Sequence, residues 1–204
     1  KCGCTTIKHI IYNIILKLDI KDIHFEYITF KPEYLNYKNI LIVRHPIDRI
    51  ISCFINRYEV HKEYFKEPHN FKEFIDVLSD KNLVFPDGHH TCPQFSEEFD
   101  NLKKYCDVND INFKFDNVIK LEELNFNNFL NDYFNLNIEE NLNINFNKTN
   151  KTENYIEKSF LIPKLKFDSI PSYKSFLNEE IIKKIKEIYK IDYENFESYK
   201  IIYD

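Results

Sequence analysis

The sequence has two glycines in 204 residues, no alanine, no methionine, no excess of positive charge and no long apolar run. Each shortage excludes something. A net charge of −5 rules out a generally basic surface for nucleic acid or an anionic membrane, so any polyanionic ligand must be held by local positive groups. No apolar stretch is long enough to span a bilayer, and no signal peptide is visible. With no methionine, the chain is expected to have been trimmed at its start, with a strand preceding Lys1. The missing alanine, beside heavy use of Asn, Lys, Ile, Tyr and Phe, points to an AT-rich genome rather than to a function. The scarcity of glycine makes Gly3 and Gly88 informative, because each should sit where the backbone geometry demands it. The five cysteines are odd in number and follow no disulfide framework, and pairing of Cys92 with Cys106 stays open.

What is there begins with Lys1-Cys2-Gly3-Cys4-Thr5-Thr6, placed directly before Ile7, Ile10, Ile11, Ile14, Ile15 and Leu18 at helical spacing. A tight loop therefore delivers the chain into a helix, where unpaired N–H groups and the helix dipole favour an anion. Gly3 allows close backbone approach, Thr5 and Thr6 add hydroxyl donors, and Lys1 adds a mobile positive charge. This is not a Walker A loop, since no Gly-Lys-Ser/Thr follows at the required spacing. Further on, Asn39–Val43 is a short apolar run that predicts a buried parallel strand. It feeds Arg44-His-Pro-Ile-Asp-Arg-Ile-Ile-Ser52, where Pro46 suits a first helical turn and Ile47, Ile50, Ile51 and Phe54 form a helical stripe. Arg44 falls at the carboxyl end of the strand, where open α/β sheets place ligands. An arginine there and Ser52, two turns into the helix, can converge on one phosphate.

Both stretches resemble motifs of the sulfotransferases that use 3′-phosphoadenosine 5′-phosphosulfate. Lys-x-Gly-x-Thr-Thr is similar to the 5′-phosphosulfate loop, and Arg44-x-Pro46-x-x-Arg49-x-x-Ser52 fills every fixed position of the 3′-phosphate motif. The resemblance implies that residues 1–6 (Lys1, Cys2, Gly3, Cys4, Thr5, Thr6) cradle the phosphosulfate while Arg44 and Ser52 hold the 3′-phosphate, the product being adenosine 3′,5′-bisphosphate. Arg49 is assigned instead to pairing with a carboxylate that fixes the helix. Asp87–Gln94, with Gly88 and Pro93, is expected to be a loop. Its His90-x-x-Pro93-Gln94 resembles a pattern in the carbohydrate, Golgi-type branch of the family, with Thr91 standing where that branch has an aromatic. Imidazole titrates nearest neutrality of the side chains, which suits a base for a sugar hydroxyl. His90 is thus the expected base, with Lys1 catalytic through the bridging oxygen, and His89 and Gln94 are expected to touch the acceptor.

Elsewhere, Asn70 and Asn178 are placed to cap helices over Phe71–Asp80 and from Glu179 onward. Phe99–Tyr105 is expected to be helical, Phe115–Leu124 a strand leaving through an acidic turn, and Phe126–Phe134 an amphipathic piece. The closing Tyr189-x-x-Asp192-Tyr193-x-x-Phe196 resembles the end of carbohydrate sulfotransferases, its aromatics being core. The whole is expected to be one α/β domain over residues 1–204, a parallel sheet flanked by helices as in P-loop nucleotide-binding proteins. Residues 135–175, with Lys148, Lys151, Lys158, Lys164 and Lys166, would cover the nucleotide. The implied partners are the nucleotide sulfate donor and a glycan or other hydroxyl acceptor, with no metal. The contrasting reading is a zinc-stabilised or partner-binding module using Cys2, Cys4, His89, His90 and Cys92. The compartment is open: cytoplasm for a microbial or viral source, Golgi lumen for a trimmed eukaryotic one.

Overall fold

The computed structural model describes residues 31–56, 69–80, 88–95, 97–134, 154–163, 167 and 169–203. In chain order these form β1 (Ile40–Val43), α1 (Pro46–Asn56), α2 (Phe71–Ser79), a single turn α3 (Gly88–Thr91), α4 (Glu97–Val108), β2 (Asn117–Lys120), α5 (Phe126–Phe134), α6 (Glu179–Ile188) and α7 (Lys190–Ser198). Short 3-10 turns occupy Pro32–Asn36, Ser159–Leu161 and Tyr173–Phe176. The chain divides into two compact units, one within 2–44 and 113–148, the other within 45–112 and 149–204. The helix expected from Ile7 onward lies outside the described residues.

The first unit is built on a parallel pair. β1 and β2 run in register from Ile40 opposite Asn117 to Val43 opposite Lys120. Asp116 clamps the start of the pair: its carboxylate accepts from the Asn39 N–H at 2.7 Å, and its own N–H donates to the Asn39 carbonyl at 2.8 Å. At the far end the Leu121 N–H donates to the Val43 carbonyl at 2.7 Å. The apolar run before Arg44 is therefore a strand of a parallel sheet, as its composition predicts, and the second strand is the core of the Phe115–Leu124 segment. In the same unit α5 starts under an Asn125 cap, whose side chain accepts from the Asn128 N–H at 3.1 Å. It buries Phe129 and Leu130, and Lys38 lies 4.7 Å from the Tyr133 ring centre.

The second unit is helical, and α1 is its centre. The predicted stripe of Ile47, Ile50, Ile51 and Phe54 is buried, but so are Cys53, Ile55, Arg49 and Ser52. The helix is enclosed on nearly every side because α2, α3, α6 and the Tyr173–Phe176 turn all pack on it. Phe54 forms the hub of an aromatic cluster, edge-on to Phe71 at 5.3 Å, Phe176 at 6.1 Å and His69 at 5.7 Å, and tilted against Phe74 at 5.5 Å. The two predicted caps are present. Asn70 and Glu73 exchange side-chain-to-backbone bonds of 3.0 and 3.1 Å, closing a capping box, and Asn178 accepts from the Ile181 N–H at 2.8 Å.

Four charges join α2 to α6. Lys184 donates to Asp76 at 2.5 Å and to Glu180 at 2.9 Å, and Lys72 donates to Asp76 at 2.8 Å. Burial pushes the Asp76 carboxyl up, but the bonds and charges of Lys184 and Lys72 outweigh it and leave its pKa below the ordinary value. A carboxyl that titrates lower when folded contributes stability fully above its unfolded pKa of about 3.9, and loses it as pH falls through the folded value. Asp76→Asn is therefore expected to lower stability at neutral pH by at most about 1 kcal/mol, water screening these partly exposed groups. Urea melts of the two proteins should converge as pH falls from the unfolded carboxylate value of about 3.9 to below the lowered folded one. A difference that persisted there would assign the loss to packing rather than to charge.

Candidate active site

Arg44 and Glu122 mark the carboxyl edge of the parallel pair. Arg44 directly follows β1, Glu122 lies in the turn after β2, and their Nε and Oε1 atoms are 3.8 Å apart. This edge is where parallel α/β sheets meet ligands. The acidic turn after β2 thus faces the motif arginine. Two residues on, the chain enters α1 through Pro46, and the His45 side chain accepts from the Ile47 N–H at 3.1 Å, satisfying one of the open donors of the first turn. Arg44 belongs to the strand unit and Ser52 to the helical one. Ser52 is buried on α1.

The histidine stretch differs from expectation. Gly88–Thr91 is one turn of helix rather than loop throughout, and Pro93 follows it. The reason is tertiary. A helical turn leaves carbonyls open at its end, and here buried side chains from distant helices take them. The Tyr189 hydroxyl donates to the Thr91 carbonyl at 2.6 Å, and Arg49 Nη1 donates to the Cys92 carbonyl at 2.6 Å. The Phe95 N–H then donates to the Asp192 carboxylate at 2.9 Å. Thr91, in the position the resemblance gives to an aromatic, is the buried last residue of this turn. His90 and Gln94 are half-buried on either side of it, and the side chain of His89 lies outside the described residues.

Arg49, Tyr189 and Asp192 are 4 %, 0 % and 0 % exposed. Burial pushes the Tyr189 phenol far above its ordinary pKa and keeps it a donor. Burial also raises the Asp192 carboxyl, against bonds from Gln94 and Phe95 and the Arg49 charge, which favour its ionised form. Arg49 acts on a carboxylate through its charge on Asp192, and it also donates to the backbone of Cys92. The run Tyr189–Phe196 is core in its aromatics, with Tyr189 and Phe196 buried. Its polar atoms, however, hold the histidine turn. The signal was present in the sequence as an acid three residues after a tyrosine that ends an apolar stripe.

Of the residues expected at the site, Arg44, Ser52, His90 and Gln94 are described. Lys1, Cys2, Gly3, Cys4, Thr5 and Thr6 lie outside the described residues, as do Lys148, Lys151, Lys164 and Lys166 of the expected covering segment. Lys158 is described, exposed and in the left-handed backbone region at φ 56°. Cys106 is a buried thiol rather than half of a bridge to Cys92, and burial raises its pKa. Among the described residues no three metal-ligating side chains cluster, and no helix is long and apolar enough to cross a membrane.

A helix-rich chain with a small parallel sheet and an arginine at its carboxyl edge is of the α/β class. It belongs to the sulfotransferase family, whose model matches residues 1–200. No curated protein and no solved structure matches it. The chain is therefore an enzyme of sulfuryl transfer, in a family whose donor is 3′-phosphoadenosine 5′-phosphosulfate. The family also implies two substrates, the nucleotide donor and an acceptor.

Proposed function

We propose that this sulfotransferase moves the sulfuryl group of 3′-phosphoadenosine 5′-phosphosulfate to a hydroxyl of a carbohydrate. The observation that carries the reading is the complete Arg44-x-Pro46-x-x-Arg49-x-x-Ser52 segment, running from the end of a parallel strand into a helix, within a chain that matches the family along almost its whole length. Arg44 and Ser52 hold the 3′-phosphate, and residues 1–6 hold the phosphosulfate, with Lys1 directed at the bridging oxygen. The carbohydrate acceptor is supported by His90-x-x-Pro93-Gln94, with Gln94 and His89 as acceptor contacts.

The chemistry balances as an in-line displacement. The acceptor oxygen forms a bond to sulfur, and its proton passes to His90. The bond from sulfur to the 5′-phosphate oxygen breaks, its electron pair staying on that oxygen, where Lys1 offsets the charge. The products are a sulfate ester and adenosine 3′,5′-bisphosphate. The protein contributes positioning and fixed charge rather than covalent chemistry.

Thermal stabilisation by adenosine 3′,5′-bisphosphate tests the donor site. At a hundred times its Kd the ligand should add about 2.7 kcal/mol, and 5′-AMP much less at the same concentration. Arg44→Ala should weaken the bisphosphate about ten- to hundredfold, since hydrogen bonds to charged groups contribute about 1.5–3 kcal/mol. No shift in folded wild-type protein would overturn the site. Labelled-sulfate transfer to glycans but not to simple phenols is the expected acceptor result, and the reverse would remove the carbohydrate assignment.

A further inference from the structure

We propose that Arg49, Tyr189 and Asp192 are positioning residues: a buried frame that fixes the turn carrying His90 to helix α1, and so couples the proton acceptor to the helix that bears Ser52. The inference rests on the reading of His90 as the base and goes beyond it by naming what holds that base in place.

Three observations carry it. First, the frame grips backbone at three points, beside the bonds from Gln94 to Asp192. Thr91, Cys92 and Phe95 each give one main-chain group to it, at 2.6, 2.6 and 2.9 Å. Three backbone bonds within five residues, two of them on neighbours, fix the path of the turn and the stretch that follows it. Second, the three gripping side chains come from separate places. Arg49 is on α1, Tyr189 is the junction between α6 and α7, and Asp192 is in the first turn of α7. The turn is thus tied to three helix segments at once. Third, the frame is an expensive way to fill a core. A buried guanidinium and a buried carboxylate cost desolvation, and apolar residues of the same volume would stabilise the unit as well or better. Polar groups in such a place specify one arrangement among several of similar stability.

Arg49 gives the frame its functional direction. It lies on α1 one turn before Ser52, so the helix assigned to the 3′-phosphate also holds the carbonyl two residues after His90. A small shift of the turn would displace the imidazole from its hydroxyl without touching the nucleotide. Displacements of about 1 Å cost on the order of a hundredfold in rate.

Tyr189→Phe is the sharpest test, because it removes one hydroxyl and keeps the buried ring. The expected result is a kcat about ten- to hundredfold lower, with the donor KM and the thermal shift by adenosine 3′,5′-bisphosphate unchanged. Arg49→Lys, which keeps charge but loses the planar fork, should behave alike. A merely structural role would lower the melting temperature and leave kcat intact well below it. The loss should disappear in a His90→Ala background, since a frame acting through His90 has nothing left to position. Full kcat in both Tyr189→Phe and Arg49→Lys, with His90→Ala impaired, would overturn the frame and leave the base standing. An equal loss with and without His90 would also overturn it. Full activity of His90→Ala would instead remove the base, and the frame's role with it.

Discussion

His90→Ala is expected to lower turnover by about a hundred- to ten-thousandfold, the usual contribution of a positioned general base, while leaving the affinity for adenosine 3′,5′-bisphosphate as it was. The separation of the two effects follows from where the residue sits. His90 is on α3, a turn held by bonds to its backbone, and the residues assigned to the nucleotide are elsewhere in the chain. Removing the imidazole leaves those bonds untouched, because none of the three runs through the His90 side chain. The variant should therefore fold, bind the donor product and show the same thermal shift. Steady-state rates at saturating donor, with bisphosphate binding measured on the same preparation, decide the matter. A fall in binding equal to the fall in turnover would make His90 part of the donor site instead. Unchanged turnover would move the base to another residue of this stretch, with His89 the next to replace.

The parts of this molecule that were legible in the sequence are those set by short-range chemistry. Asn70 and Asn178 each stand before an apolar-periodic run, and a side chain that satisfies N–H groups three residues away needs no information from the rest of the chain. Arg44–Ser52 was legible for the same reason, since strand, turn proline and helical stripe are contiguous. The short turn at Gly88–Thr91 was not. Gly88 and Pro93 read locally as breakers, and the groups that complete the turn arrive from Arg49, Tyr189 and Asp192, far away in sequence. Asp192 was hidden by its company: inside a run of core aromatics its carboxylate looked incidental, although burial without a partner would have been costly. The enclosure of α1 was likewise underestimated, because a stripe of four apolar residues predicts one buried face and cannot say how many neighbours the helix will have.

That enclosure yields the largest expected effect on stability, at Phe54. The ring is fully buried and meets four others, with the Phe71–Phe176 and Phe167–Phe176 contacts at 5.5 and 5.8 Å extending the cluster beyond it. Phe54→Ala removes apolar contact and leaves a cavity that the packed neighbours close only in part, so the expected cost is about 3–5 kcal/mol. Domains are stable by about 5–15 kcal/mol in total, so the variant should be marginal at physiological temperature. Phe54→Leu keeps most of the volume and should lose clearly less. The contrast with Asp76→Asn is informative, since both changes loosen the packing of helices in the same unit. One removes screened surface charge and the other removes the centre of the core. Urea denaturation of the two variants should place the Phe54→Ala midpoint far below that of Asp76→Asn at neutral pH. Similar midpoints would mean that the core relaxes around position 54 much more than its close aromatic contacts suggest. In that event α1 would no longer be the rigid element on which both Ser52 and the Arg49 bond to the histidine turn depend.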